Sequence, residues 1–94
     1  MITINIIDND SICLTGHSLP DICAGVSCIM YTTINALMRY NEDCISFADN
    51  GEHMILAVEK HDDIIDMLFD NMCNMLYDLQ SDCEQYITIN KTEN

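Results

Sequence analysis

The chain has 94 residues, enough for one two-layer domain over residues 1–94 and too few for a multidomain enzyme. Three basic residues (Arg39, Lys60 and Lys91) stand against sixteen aspartates and glutamates, a formal net charge of −13. Nucleic-acid binding needs a basic footprint that displaces counterions, and this balance speaks against it.

No charged leader followed by an apolar run opens the chain, and its apolar stretches read as too short for a bilayer, so a cytoplasmic protein with no membrane partner is expected. The acidic field either attracts a basic peptide over long range or serves solubility alone.

In chain order, Ile2, Ile4 and Ile6 alternate with Thr3 and Asn5, and Ile12 and Leu14 alternate with Ser11, Cys13 and Thr15. The turn-forming Asp8-Asn9-Asp10 between them predicts a β-hairpin. From about Leu19 to Tyr40 the period becomes helical through Ile22, Val26, Ile29, Met30, Thr33 and Leu37. Ser18 or Leu19 stands at the cap, and Pro20 falls in the first turn, where its missing N–H costs nothing.

Cys44 to Phe47 and Met54 to Val58 predict two further strands. Asn50-Gly51 between them reads as a type I′ turn. Asp62 to about Glu84 predicts a second amphipathic helix, with Ile65, Leu68, Met72, Leu76, Leu79 and Cys83 on its packing stripe and aspartates opposite. Tyr86 to Ile89 reads as a last strand before a polar tail, Lys91 to Asn94. The order is ββαββαβ. It predicts an α+β two-layer sandwich of a mixed sheet of about five strands with two helices, which lie on one face or are split between faces.

The six cysteines, Cys13, Cys23, Cys28, Cys44, Cys73 and Cys83, are scattered through apolar periodic segments, a pattern of free thiols rather than a disulfide framework. Cys23 falls near a predicted helix start, where aligned peptide dipoles and free N–H groups favour a thiolate. His17 lies five intervening residues upstream and supplies the type of base a thiol nucleophile needs.

Gly16 permits an unusual backbone, Asp21 either orients the imidazole or caps the helix, and Ser27 lies one turn beyond Cys23 on the same face. Taken alone, the arrangement fits a buried structural thiol as well as a nucleophile. A zinc set of Cys13, His17, Cys23 and Cys28 lacks a Cys-x-x-Cys knuckle, and the helical run turns Cys23 and Cys28 to different faces, so no metal is expected. His53 and His61 flank a strand with the spacing of neither a zinc pair nor a triad, and are expected to be solvated.

The stretch "GH" followed by "DICAGVS", covering Gly16, His17, Asp21, Ile22, Cys23, Ala24, Val26 and Ser27, resembles the ribosomal-processing cysteine proteases of the Prp family. Their pattern is Gly-His, a loop, then Asp-Ile-Val-Cys-Ala-x-x-Ser, on the same order of strands and helices. The resemblance implies a cofactor-free cysteine endopeptidase, commonly a homodimer, that removes an N-terminal extension from a large-subunit ribosomal protein. It also implies relatives that process phage capsid or scaffold proteins with a similar cleavage sequence.

It implies His17 and Cys23 as a catalytic dyad, with Gly16, Asp21 and Ser27 in supporting roles and backbone N–H groups at the helix start as the oxyanion hole. Two features depart from the pattern. Only "SLPDI" separates His17 from Cys23, a shorter loop than the family's. The family's Val before the cysteine is absent, which moves Asp21 by one residue, about 100° of helical rotation. A homologue that binds a peptide without cutting it, or an acidic structural module with inert thiols, are the alternative readings.

Overall fold

The computed structural model describes residues 1–93. The elements follow the expected ββαββαβ order: β1 (Ile2–Ile7), β2 (Ser11–Gly16), α1 (Pro20–Tyr40), β3 (Ile45–Asp49), β4 (His53–Val58), α2 (Asp63–Asp82) and β5 (Ile87–Thr92). The five strands form one mixed sheet in the order β3-β4-β2-β1-β5. Pairing is antiparallel except between β1 and β5, which run parallel in the register Ile2↔Ile87 to Ile7↔Thr92.

The sheet is apolar on one face only. Ile2, Ile4, Ile6, Ile12, Leu14, Met54, Leu56 and Ile87 are buried, while their strand neighbours Thr3, Asn5, Cys13, Thr15 and Ile55 are not. Strand alternation therefore directs one face to the helices and leaves the other uncovered. Both helices lie on the apolar face and pack against each other, where a side chain at Gly25 would meet the Leu79 Cδ2 atom at 3.4 Å. Their buried stripes are Ile22, Val26, Met30, Thr33, Ile34 and Leu37 on α1, and Ile65, Phe69, Met72, Cys73 and Leu76 on α2. Each large side chain so buried contributes about 1.5–3 kcal/mol relative to exposure.

α1 begins at Leu19, which makes no side-chain cap, with Pro20 as its first residue. α2 is capped by Asp62, whose Oδ1 accepts the Ile65 N–H at 2.8 Å. The other oxygen of Asp62 accepts the Tyr40 hydroxyl at 2.6 Å and so ties the end of α1 to the start of α2.

Four expectations need correction. On α2, Phe69 and Cys73 are buried, whereas Leu68 and Leu79 only border the core. The stripe slants because a helix drifts relative to a fixed spacing. β3 and β4 do not meet through a type I′ Asn50-Gly51 turn. Asp49 pairs with Met54, which centres the turn on Gly51-Glu52, and of the turn residues only Gly51 has a positive φ, 90°. The last strand continues through Lys91 and Thr92, because the parallel ladder with β1 supplies main-chain partners that polar side chains do not disturb. α1 also has the length and apolarity of a membrane span, with a mean hydropathy of 1.3. In the fold its apolar stripe instead faces the sheet and α2.

Candidate active site

At one end of the sheet, β2 runs out at Gly16, α1 starts at Pro20, and the β3–β4 turn folds alongside. A cavity of about 280 Å3 lies between them, lined by Ile2, Leu14, Val26 and Met54 together with Gly16, His17, Cys23, Ser27, Asp49, Gly51, Glu52 and His53. The structure thus brings Gly16, His17, Cys23 and Ser27 to one cavity. Asp21 stays outside it, exposed in the first turn of α1, where its charge suits the helix dipole.

Gly16 is required by its backbone. Its φ is 89°, and a Cβ there would stand 2.2 Å from the Met1 carbonyl oxygen. The close approach holds the end of β2 against the start of β1, and the Met1 backbone nitrogen donates to the His17 carbonyl oxygen at 2.7 Å. The His17 main chain is anchored, while its exposed ring makes no hydrogen bond among the described residues.

Cys23 is half-buried, the fourth residue of α1. Its sulfur is held by the loop that precedes the helix: the Ser18 N–H donates to Sγ at 3.3 Å, and the thiol donates to the Ser18 carbonyl oxygen at 3.4 Å. The His17 ring is not among its hydrogen-bond partners. The five residues "SLPDI" thus wrap the sulfur in the main chain of Ser18.

The helix start offers less to an oxyanion than its sequence implies. The N–H groups of Ile22 and Cys23 both donate to the Leu19 carbonyl oxygen at 3.0 Å and Pro20 has none, which leaves the Asp21 N–H in the first turn. The N–H already aimed at the sulfur belongs to Ser18, a residue outside the resemblance. Its hydroxyl oxygen is buried without a partner.

Three further cavity residues, Asp49, Glu52 and His53, carry no site signal in the sequence, where they belong to a hairpin nearly thirty positions from Cys23. Only the pairing of β4 with β2, through Thr15↔His53, brings that turn to the thiol. Asp49 is fixed there: its Oδ2 accepts the Tyr31 hydroxyl at 2.6 Å and its Oδ1 the Gly51 N–H at 2.8 Å. The hydrogen bond from Tyr31, then that from Gly51, holds its carboxyl below the ordinary range. His53 precedes the buried Met54, so alternation along β4 directs its side chain to the uncovered face of the sheet.

His61 is exposed but not simply solvated. Its Nδ1 lies 2.6 Å from Asp66 Oδ1 and its Nε2 2.6 Å from Asp10 Oδ1, away from the cavity. All six cysteines are free thiols.

No curated protein matches the chain. Among solved structures, the ribosomal processing protease Prp of S. aureus with a covalently linked product peptide superposes with a TM-score of 0.84 at 25% identity, over 98% of this chain and 100% of that one. The same protease with a substrate peptide gives a TM-score of 0.85 at 20% identity, again over 98% and 100%. SMU.848 from Streptococcus mutans gives 0.86 at 20% identity, over 100% of this chain and 96% of that one. The family model for cysteine protease Prp matches residues 1–88. With the match spanning every strand and helix up to the first residues of β5, the chain belongs to the Prp family of cysteine proteases.

Proposed function

We propose that residues 1–94 act as one endopeptidase unit in which Cys23 is the nucleophile and His17 the general base and later acid. The observation that supports this reading is that His17 and Cys23 line one cavity at the junction of β2 and α1. His17 takes the thiol proton, and the Cys23 sulfur attacks the scissile carbonyl carbon. The tetrahedral oxyanion collapses as the imidazolium gives its proton to the leaving amine, and a thioester remains. Water, deprotonated by His17, then attacks the thioester and releases the acid and the thiol.

Gly16 supports the dyad by allowing the turn that presents His17, and Ser27 lines the cavity one turn beyond Cys23. Asp21 acts on the field at the helix start rather than through contact. The Ser18 N–H, already directed at the sulfur, takes the role of thiolate donor, since the Ile22 and Cys23 N–H groups are bonded to Leu19.

The substrate of this reading is a peptide segment: the N-terminal extension of a large-subunit ribosomal protein, or a phage capsid or scaffold protein with a similar cleavage sequence. It rests on family membership and on the peptide complexes of the S. aureus protease. The same reading places the enzyme in the cytoplasm as a homodimer.

Cleavage of a fluorogenic peptide bearing the family's cleavage sequence tests it. Wild type is expected to cut, and Cys23→Ala and His17→Ala to lose about 1,000-fold or more in kcat/KM. A wild type that binds the peptide without cutting it overturns the enzyme in favour of a peptide-binding homologue.

A further inference from the structure

The cavity beside Cys23 has two unlike parts. Its floor is the buried apolar set Ile2, Leu14, Val26 and Met54, and its outer wall is the β3–β4 turn, which carries the carboxylates of Asp49 and Glu52. No lysine or arginine lines it: Arg39 ends α1, Lys60 follows β4, and Lys91 lies in β5. The two carboxylates are not equivalent. Asp49 has both oxygens occupied, by Tyr31 and by Gly51. The Glu52 carboxylate has no partner among the described residues, although its main chain is pinned by the Asn50 side chain, whose Oδ1 accepts the Glu52 N–H at 3.0 Å. A free carboxylate on a fixed turn, above an apolar floor, matches a side chain with an aliphatic stem and a cationic head.

We propose that Glu52 is a specificity residue that receives a lysine or arginine side chain of the substrate peptide, whose methylenes lie on the floor formed by Leu14, Val26 and Met54. The assignment rests on the reading of this cavity as the peptide site. Asp49 adds to the field, with each of its oxygens already accepting one hydrogen bond. A neutral side chain of equal length keeps the floor and loses the carboxylate. The discrimination is that of a partly exposed ion pair, about five-fold.

The test uses the full chain carrying Cys23→Ala, so that no turnover occurs. The probes are fluorescein-labelled eight-residue peptides of neutral residues with one lysine moved position by position, each paired with its norleucine counterpart. Fluorescence anisotropy is expected to show about five-fold tighter binding of the lysine peptide at one position. That preference vanishes when Glu52→Gln is added and turns to norleucine over lysine with Glu52→Lys. Equal lysine-to-norleucine ratios with and without Glu52→Gln at every position overturn the proposal, as does the absence of binding by all the peptides. Because binding is read without the thiol, failure of Cys23 as nucleophile appears only in the cleavage assay and failure of Glu52 only here.

Discussion

The Cys23 sulfur is hydrogen-bonded by a single residue, Ser18, which offers it an N–H at 3.3 Å and a carbonyl oxygen at 3.4 Å. Both contacts are made by the main chain of Ser18, so its position does not depend on the serine side chain. The Ser18 hydroxyl takes part in neither contact and is buried without a partner. A buried, unsatisfied hydroxyl costs about 1–3 kcal/mol, part of which its removal recovers. Ser18→Ala is therefore expected to raise stability by about 1 kcal/mol in urea unfolding while retaining both main-chain contacts. A lower unfolding midpoint would show that the hydroxyl is satisfied in solution.

Gly16 and Gly51 share a positive φ, 89° and 90°, but not a neighbourhood. At Gly51 an added Cβ meets nothing within 4 Å, whereas at Gly16 it meets the Met1 carbonyl oxygen at 2.2 Å. Gly51→Ala is expected to cost about 1 kcal/mol, the strain of the backbone alone. Gly16→Ala adds a main-chain clash, so its cost is expected to reach about 3 kcal/mol or more, with peptide cleavage lost as His17 shifts. Equal unfolding midpoints for the two variants would contradict this.

The element order was legible because alternation in β1 and β2 and the helical period from Ile22 to Leu37 are local patterns. That His17 and Cys23 line one cavity was legible for the same reason: they are six positions apart, across one strand-to-helix loop. Glu52 was not, because nothing in "ADNGEH" tells which end of the sheet its hairpin will reach. That is decided by β4 pairing with β2 rather than with β5, a long-range choice made by packing. Ser18 was hidden differently. A serine before a proline-started helix reads as a cap, yet Leu19 occupies the cap position and the Ser18 main chain turns to the sulfur instead.

The six thiols separate by environment. Burial, with Asp70 adding to it, pushes the Cys73 thiol up to about 11, and burial is also the main cause raising Cys44. Cys44 is further engaged, donating to the Leu37 carbonyl oxygen at 3.5 Å. Iodoacetamide at pH 8 is expected to modify exposed Cys28, and Cys23 fastest of all, while Cys44 and Cys73 stay unmodified until urea is added. Peptide mass mapping over time checks the order. Cys23 reacting no faster than the other five would remove the activated thiol from the mechanism.

His61 joins the β1–β2 turn to the first turn of α2 through Asp10 and Asp66, and the hydrogen bonds to Asp66 and then Asp10 raise its pKa above 6.5. Protonated, the ring donates to both carboxylates at once; neutral, it keeps one donor. Because the folded value lies above the unfolded one, the contribution to stability is complete below about pH 6.5 and is lost as pH rises through the folded pKa. Wild type is therefore expected to lose more stability between pH 6 and pH 9 than His61→Gln, with the difference between the two proteins largest on the acid side. All three side chains are substantially exposed, so the effect is small and screened. At about 1 M salt, where the Debye length is about 3 Å, the two pH profiles are expected to draw together. Urea unfolding of both proteins across this range gives the comparison, and parallel profiles at low salt would leave His61 without a role in holding the turn to the helix.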